Sequence, residues 1–245
     1  MSRILIVQSR PEDDVAGAEL EAMVRFGRLD ESRIHRVRLD RDQPETDLRD
    51  VDAVLIGGGP ANFSDDPELR PAAHAGVVPW LQALAVRVIR DDIPYLGACL
   101  GLGAVVHALG DRMIRGVAES VAPVELSLVG DDWLTQGLPR AFTAFGGHKE
   151  GIREAPAGSP GLPVTTLAVS AACVHMLRVG EHVVATQFHP ELDADGLEQR
   201  IRAYRDHGYF SPDEVDDLVR AGRAAHVEHP QTILARFAER YALTR

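Results

Sequence analysis

The chain has 245 residues, 45% of them hydrophobic, and carries 26 lysines and arginines against 37 aspartates and glutamates, a formal net charge of −11. That acidic balance argues against nucleic acid and anionic membranes as partners, and no stretch reads as the unbroken apolar run that crosses a bilayer. Two cysteines, Cys99 and Cys173, are too few for a disulfide framework in a chain this long, so a reducing cytoplasm is the expected compartment.

The N-terminus, MSRILIVQSR, lacks the long apolar region of a secretory signal, and Arg3 to Val7 reads as a buried strand. Asp14 to Phe26 repeats apolar residues at helical spacing and stops at Gly27, a natural C-cap. Ile34 to Leu39 and Val51 to Ile56 read as strands, the latter ending abruptly at Gly57-Gly-Gly-Pro60. A helix from about Val77 to Arg90 leads into the run from Ile93 to Cys99, read as a strand, and a further helix spans Leu100 to Leu109, ending at Gly110. This order predicts an α/β fold, a doubly wound, mostly parallel sheet flanked by helices.

After Asp111 the texture changes. Val124–Val129, Phe142–Phe145, Val164–Ser170, Val174–Val179 and His182–Phe188 are short strand-like segments, with a tight hairpin predicted at Gly180-Glu181. From Asp193 onward the pattern is helical. Ser211-Pro-Asp-Glu214 starts one helix, running to His226, and His229-Pro-Gln starts another, running to about Leu243. Residues 1–192 are therefore read as one domain and 193–245 as a helical extension packed on it.

The segment YLGACLGLG, Tyr95 to Gly103, sets Cys99 between Gly97 and Gly101 at a predicted strand-to-helix turn. A thiol there meets the positive end of a helix, which favours the thiolate, and glycines permit a tight bend open to substrate. The bland reading is a buried small residue in close strand–helix packing. Nucleophilic chemistry requires a base, and Thr186-Gln-Phe-His-Pro-Glu191 supplies one, placing His189 at the C-terminal end of a strand run. Glu191, two residues on, is suited to fixing the imidazole tautomer. A zinc pair is the competing reading, but His-x-Glu lacks further ligands, and the sequence assigns no metal and no cofactor. Acyl transfer also needs amide donors for an oxyanion. The glycine loop containing Gly58, Gly59 and Pro60 is the candidate, with the amides of Gly59 and Leu100 as the expected pair.

In this order, GGGP at 57–60, GACLG at 97–101 and QFHPE at 187–191 resemble the class I (triad) glutamine amidotransferases, with His189 following Cys99 by 90 residues. The likeness spans nearly all of residues 3–191 and is nearest to stand-alone proteins similar to the amidotransferase domain of GMP synthase. Phe145-Gly-Gly-His-Lys-Glu150 resembles a segment of those proteins. The resemblance implies a flavodoxin-like fold and hydrolysis of the glutamine side-chain amide through a Cys99 γ-glutamyl thioester. His189 would act as base, Glu191 as its support, and ammonia would pass to an unidentified acceptor such as a synthetase subunit. One position departs: the family carries glutamine four residues after the nucleophile, and here stands Gly103. The segment Ser170-Ala-Ala-Cys-Val-His175 is also unusually apolar for one that reads an amino-acid head group.

Gly103 keeps open a γ-glutamyl hydrolase acting on γ-glutamyl amides or peptides, with the same thioester chemistry. A catalytically silent regulatory or binding module is the third reading, disfavoured by the intact Cys99, His189 and Glu191. The C-terminal helices are candidates for a packed cap or for a homodimer or partner surface.

Overall fold

Ile4, Leu5, Ile6 and Val7 are all buried, without the alternation of a strand that has one wet face, because helices cover both sides of the sheet there. The computed structural model describes residues 3–206 and 208–242. Its strands are β1 (Arg3–Gln8), β2 (Ile34–Arg38), β3 (Val51–Ile56), β4 (Tyr95–Ala98), β5 (Glu119–Leu128), β6 (Ala141–His148), β7 (Val164–Val169), β8 (Val174–Val179) and β9 (Val183–Thr186). The helices are α1 (Asp13–Gly27), α2 (Val77–Arg90), α3 (Leu100–Ala108), α4 (Ala194–Ala203), α5 (Val215–Ala224) and α6 (His229–Tyr241).

Among the described residues nine strands join one sheet in the order β2-β1-β3-β4-β9-β8-β7-β5-β6. Pairing is parallel from β2 through β9 and antiparallel from β9 to β6. On one face Leu5, Val7, Val54 and Ile56 pack against Leu81, Leu84 and Val88 of α2 and Leu102 and Val105 of α3. On the other, Ile4, Ile6, Leu55 and Leu96 meet Met23 of α1 and Leu234 and Phe237 of α6. A third cluster sets Leu197 and Ile201 of α4 and Val215 and Val219 of α5 against Val121 and Phe145. The helices beyond Asp193 thus bury apolar faces against the rest of the chain.

Most element ends fall within two residues of the sequence reading, and the departures have local causes. Gly27 is the last helical residue of α1, and the left-handed conformation falls on Arg28, φ 52°. Strand β5 begins at Glu119 and β6 runs on to His148, because those two residues pair directly in a polar stretch that lacks alternation. The helix expected from Ser211 is a short 3₁₀ turn, Pro212–Glu214, closed by a Ser211–Glu214 capping box, followed by α5. The described part of α6 ends at Tyr241, and Leu243, its expected end, lies outside the described residues. Gly180 turns the β8–β9 hairpin at φ 61°. The 19 residues Ala72–Arg90 do satisfy the length and hydropathy of a membrane span, at mean hydropathy 1.3, contrary to the sequence expectation. Here Val77, Leu81, Leu84, Ala85 and Val88 of that stretch are buried as one stripe against the sheet.

Candidate active site

Cys99 sits between β4 and α3 with φ 51° and ψ −90°, a conformation that costs a non-glycine residue about 1–3 kcal/mol. Neighbouring bonds hold it there. Its amide donates to the Thr186 carbonyl of β9 at 2.7 Å, and its carbonyl accepts from the amides of Leu102 at 3.0 Å and Gly103 at 3.3 Å. The sharp bend therefore falls on the cysteine itself. Gly97 and Gly101 serve a different need: a Cβ at Gly97 would collide with the buried Tyr95 ring, and one at Gly101 would press on the Tyr95 hydroxyl and Ile56. The Tyr95 hydroxyl donates to the Gly101 carbonyl at 2.9 Å, tying the start of α3 back to β4.

Strand β9 stops at Thr186, and the following Gln187–Glu191 segment turns His189 into the narrow cleft that also holds Cys99. His189 is buried, its amide donating to the Phe145 carbonyl at 3.0 Å. Its Nδ1 lies 2.9 Å from Glu191 Oε1; a carboxylate only accepts, so Nδ1 carries the proton and Nε2 is left as a base. Gln187 Nε2 lies 3.7 Å from the Cys99 sulfur.

Behind the imidazole runs a buried chain of alternating charge. Arg200 Nη2 donates to Glu191 Oε1 at 2.8 Å and to Glu19 Oε1 at 3.1 Å. Glu19 Oε1 also accepts from Arg10 Nε at 2.8 Å, and Arg10 Nη1 donates to the Tyr204 hydroxyl at 2.6 Å. Buried charges persist only when paired and hydrogen-bonded in this way. The chain also fixes the glycine loop after β3, since a Cβ at Gly57 would strike the Glu19 carboxylate and one at Gly58 would lie 2.5 Å from His189 Cε1.

These surroundings set the charge states. Burial lowers the His189 pKa below its ordinary value, with Glu191 opposing and Arg200 and Arg10 reinforcing, so the ring is a neutral base near pH 7. Burial alone would raise Glu191, but His189 and Arg200 hold it well below the usual carboxylate range. Cys99 departs from the sequence expectation of a lowered thiol: burial pushes it up to about 11, against the pull of Arg10 and Arg200. At rest the group is a thiol, and a base is needed to make it a nucleophile.

Gly59, Leu100 and Cys99 border one stretch of the cleft. Leu100 opens α3, where the first amides have no acceptor within the helix, and Gly59 lies against Ser9, whose hydroxyl bonds the Gly58 carbonyl at 3.4 Å. Pro60 follows in the same loop, and Glu150 closes the loop's far end by accepting from the amides of Phe63 at 2.8 Å and Ser64 at 2.7 Å. Gly103 is buried inside α3, facing the Phe63 ring rather than the cleft. Tyr209, from the segment between α4 and α5, lines the cleft at Cys99 on both of its sides.

Sequence reasoning brought together Cys99, His189, Glu191, Gly58, Gly59 and Leu100 but missed Glu19, Arg200, Arg10, Gln187 and Tyr209. A signal existed for two of them. Leu197, Arg200 and Ile201 form the buried stripe of α4, and Val15, Ala16, Glu19 and Met23 that of α1. A charge on an apolar stripe requires a buried partner.

A family model described as glutamine amidotransferase class-I matches residues 19–203. The chain is 26% identical over 155 residues to one subunit of the glutamine-hydrolyzing GMP synthase of Archaeoglobus fulgidus, covering 63% of this chain and 74% of that one. It is 28% identical over 144 residues to the like-named subunit from Methanothermobacter thermautotrophicus, covering 59% and 67%. Among solved structures, a glutamine amidotransferase from Thermotoga maritima matches 98% of this chain and 99% of its own with a TM-score of 0.70, at 18% identity, which is a likeness of fold.

Proposed function

The chain belongs to the class I glutamine amidotransferases, and we propose that it hydrolyses the side-chain amide of glutamine through a thioester on Cys99 and delivers the ammonia to a separate synthetase subunit. The observation that carries this reading is the juxtaposition of Cys99, held at a strained strand-to-helix turn, with a neutral imidazole whose Nδ1 is fixed by Glu191.

In the proposed cycle His189 Nε2 removes the thiol proton as Cys99 Sγ attacks the amide carbon of glutamine. The tetrahedral oxyanion accepts hydrogen bonds from the amides of Gly59 and Leu100, a term worth several kcal/mol of barrier in such sites, about 3–4 per donor. Gly58 and Pro60 shape the loop that presents the first of them. The proton passes from His189 to the leaving nitrogen, the C–N bond breaks, and ammonia departs. Water then attacks the γ-glutamyl thioester with His189 as base, releasing glutamate and restoring the thiol.

The two GMP synthase relatives are each one subunit of their enzyme, which supports a partner that takes the ammonia. Both cysteines are unpaired, in keeping with a reducing compartment. A second reading, hydrolysis of γ-glutamyl amides or peptides, draws support from Gly103, since Phe63 fills the space where the family pattern has a polar side chain. Initial rates of ammonia release from glutamine, set against amine release from γ-glutamyl amides, discriminate the two. The proposal expects the larger kcat/KM with glutamine, and a preference for the substituted amide would transfer the assignment to the hydrolase.

A further inference from the structure

A second cluster of chemically capable side chains lies where β5, β6 and β8 converge. Glu119 opens β5, His148 ends β6, Cys173 immediately precedes β8, and His175 is its second residue. One ligand atom from each lies within 4.8 Å of all the others. Glu119 Oε2 is 2.8 Å from His148 Nε2 and 2.6 Å from His175 Nε2, and Cys173 Sγ is 4.0 Å from that oxygen and 3.9 Å from His148 Nε2. Three of the four residues are buried, and Glu119 keeps 16% of its side chain exposed, which leaves an entry path.

The hydrogen bonds of His148 suit a bound cation. Its Nδ1 lies 2.9 Å from the Glu150 carbonyl and its Nε2 faces the Glu119 carboxylate. Both partners only accept, whereas a neutral imidazole has a single N–H. Either the ring is doubly protonated, or Nδ1 carries the proton and the Nε2 lone pair meets a cation. The second arrangement is the one metal-bound histidines adopt, with the outer nitrogen donating to a carbonyl. A tetrahedral zinc with ordinary bond lengths sets its ligand atoms about 3.3–3.6 Å apart. The two nitrogen–oxygen separations, 2.8 and 2.6 Å, are shorter and the two sulfur separations, 4.0 and 3.9 Å, are longer, so the four side chains reach that spacing by shifts of well under an ångström each. The donor set of one thiol, two imidazoles and one carboxylate suits zinc and not a hard cation such as magnesium.

We propose that Glu119, His148, Cys173 and His175 form a closed, four-ligand zinc site. It is distinct from the Cys99 cleft but joined to it. The metal holds His148, whose Nδ1 proton goes to the Glu150 carbonyl, and the Glu150 carboxylate holds the Phe63 and Ser64 amides of the glycine loop. With four protein ligands and no open position the ion is structural, locking the 146–150 segment that lines the cleft.

The test uses the full chain stripped of metal and then given zinc chloride or cobalt chloride. After buffer exchange the chain retains about one zinc per molecule, and unfolds at higher temperature with zinc than without. The cobalt form shows a thiolate-to-cobalt charge-transfer band, kept in Cys99→Ala and lost in Cys173→Ser. Zinc also protects Cys173 from alkylation in the unaltered chain, a readout that stands even where Cys173→Ser does not fold. A chain that retains no zinc, a cobalt spectrum without thiolate character, or a band lost in Cys99→Ala overturns the proposal.

Discussion

A Cβ on Gly103 would lie 2.5 Å from Cδ2 of Phe63, so the ring of one residue occupies the side-chain space of the other. Phe63 is itself fixed, buried against His107 at 4.8 Å between ring centroids and bonded through its amide to Glu150. Gly103→Ala should therefore overpack α3 and lower stability by about 1–3 kcal/mol. Phe63→Leu in the same chain should recover part of that loss, because residues in contact are not additive. Urea unfolding of the two single variants and the double variant measures this. A Gly103→Ala chain as stable as the parent would show that Phe63 is not what keeps position 103 small.

Arg200 holds Glu191 from behind and lowers the pKa of His189 through its charge. Arg200→Met removes that charge, so the imidazole binds its proton more readily and the acid limb of kcat/KM moves to higher pH. We expect kcat at neutral pH to fall about tenfold or more, about 1.4 kcal/mol of barrier, with partial recovery in Arg200→Lys. Glu19 and Glu191 would be left partly unpaired, so stability should drop by about 3–5 kcal/mol. Lost stability with an unmoved acid limb would make Arg200 a structural residue only.

The shapes of these stripes explain what was readable beforehand. The parallel strands and the helices over them carry long apolar runs or helical repeats, and β4, Cys99 and α3 follow one another with punctuation by glycine. The Cys99, His189 and Glu191 set could be assembled from local pattern because Cys99 directly follows β4 and the His189–Glu191 pair comes within five residues of the end of β9. Pairing between Glu119 and His148 could not, since the cross-strand partner is fixed by register and not by local pattern. Nor could the Gly103–Phe63 contact, which joins a helix interior to a loop 40 residues earlier. The assumption that Gly97 and Gly101 serve the bend missed the buried Tyr95 ring, whose need for space is invisible without the fold.

Burial pushes the Cys99 thiol up to about 11. A raised thiol pKa extends the protonated form past neutrality, so nonspecific alkylation by iodoacetamide should climb across about pH 6 to 10 without a plateau. The measurement is the pH dependence of Cys99 modification by peptide mass mapping. A plateau reached below about pH 8 would mean a resting thiolate, and His189 would not be required to generate the nucleophile.

Tyr209 borders the cleft at Cys99 with its ring beside Lys149 Nζ, 4.2 Å from the centroid. Tyr209→Ala widens that cleft without touching Cys99, His189 or Glu191. Loss of contact made equally in ground and transition states raises KM with kcat little changed, and we expect KM for glutamine to rise about tenfold. Steady-state kinetics decide: an unchanged KM would place Tyr209 outside the substrate contact.

The most direct measurement is the intact mass of the chain after rapid mixing with glutamine and acid quenching. The account predicts a γ-glutamyl adduct on Cys99 that is absent from Cys99→Ala and accumulates when deacylation is slowed, together with ammonia release by the unaltered chain. A folded chain that gives neither adduct nor ammonia, with candidate synthetase partners present, would contradict the assignment of Cys99 as the nucleophile.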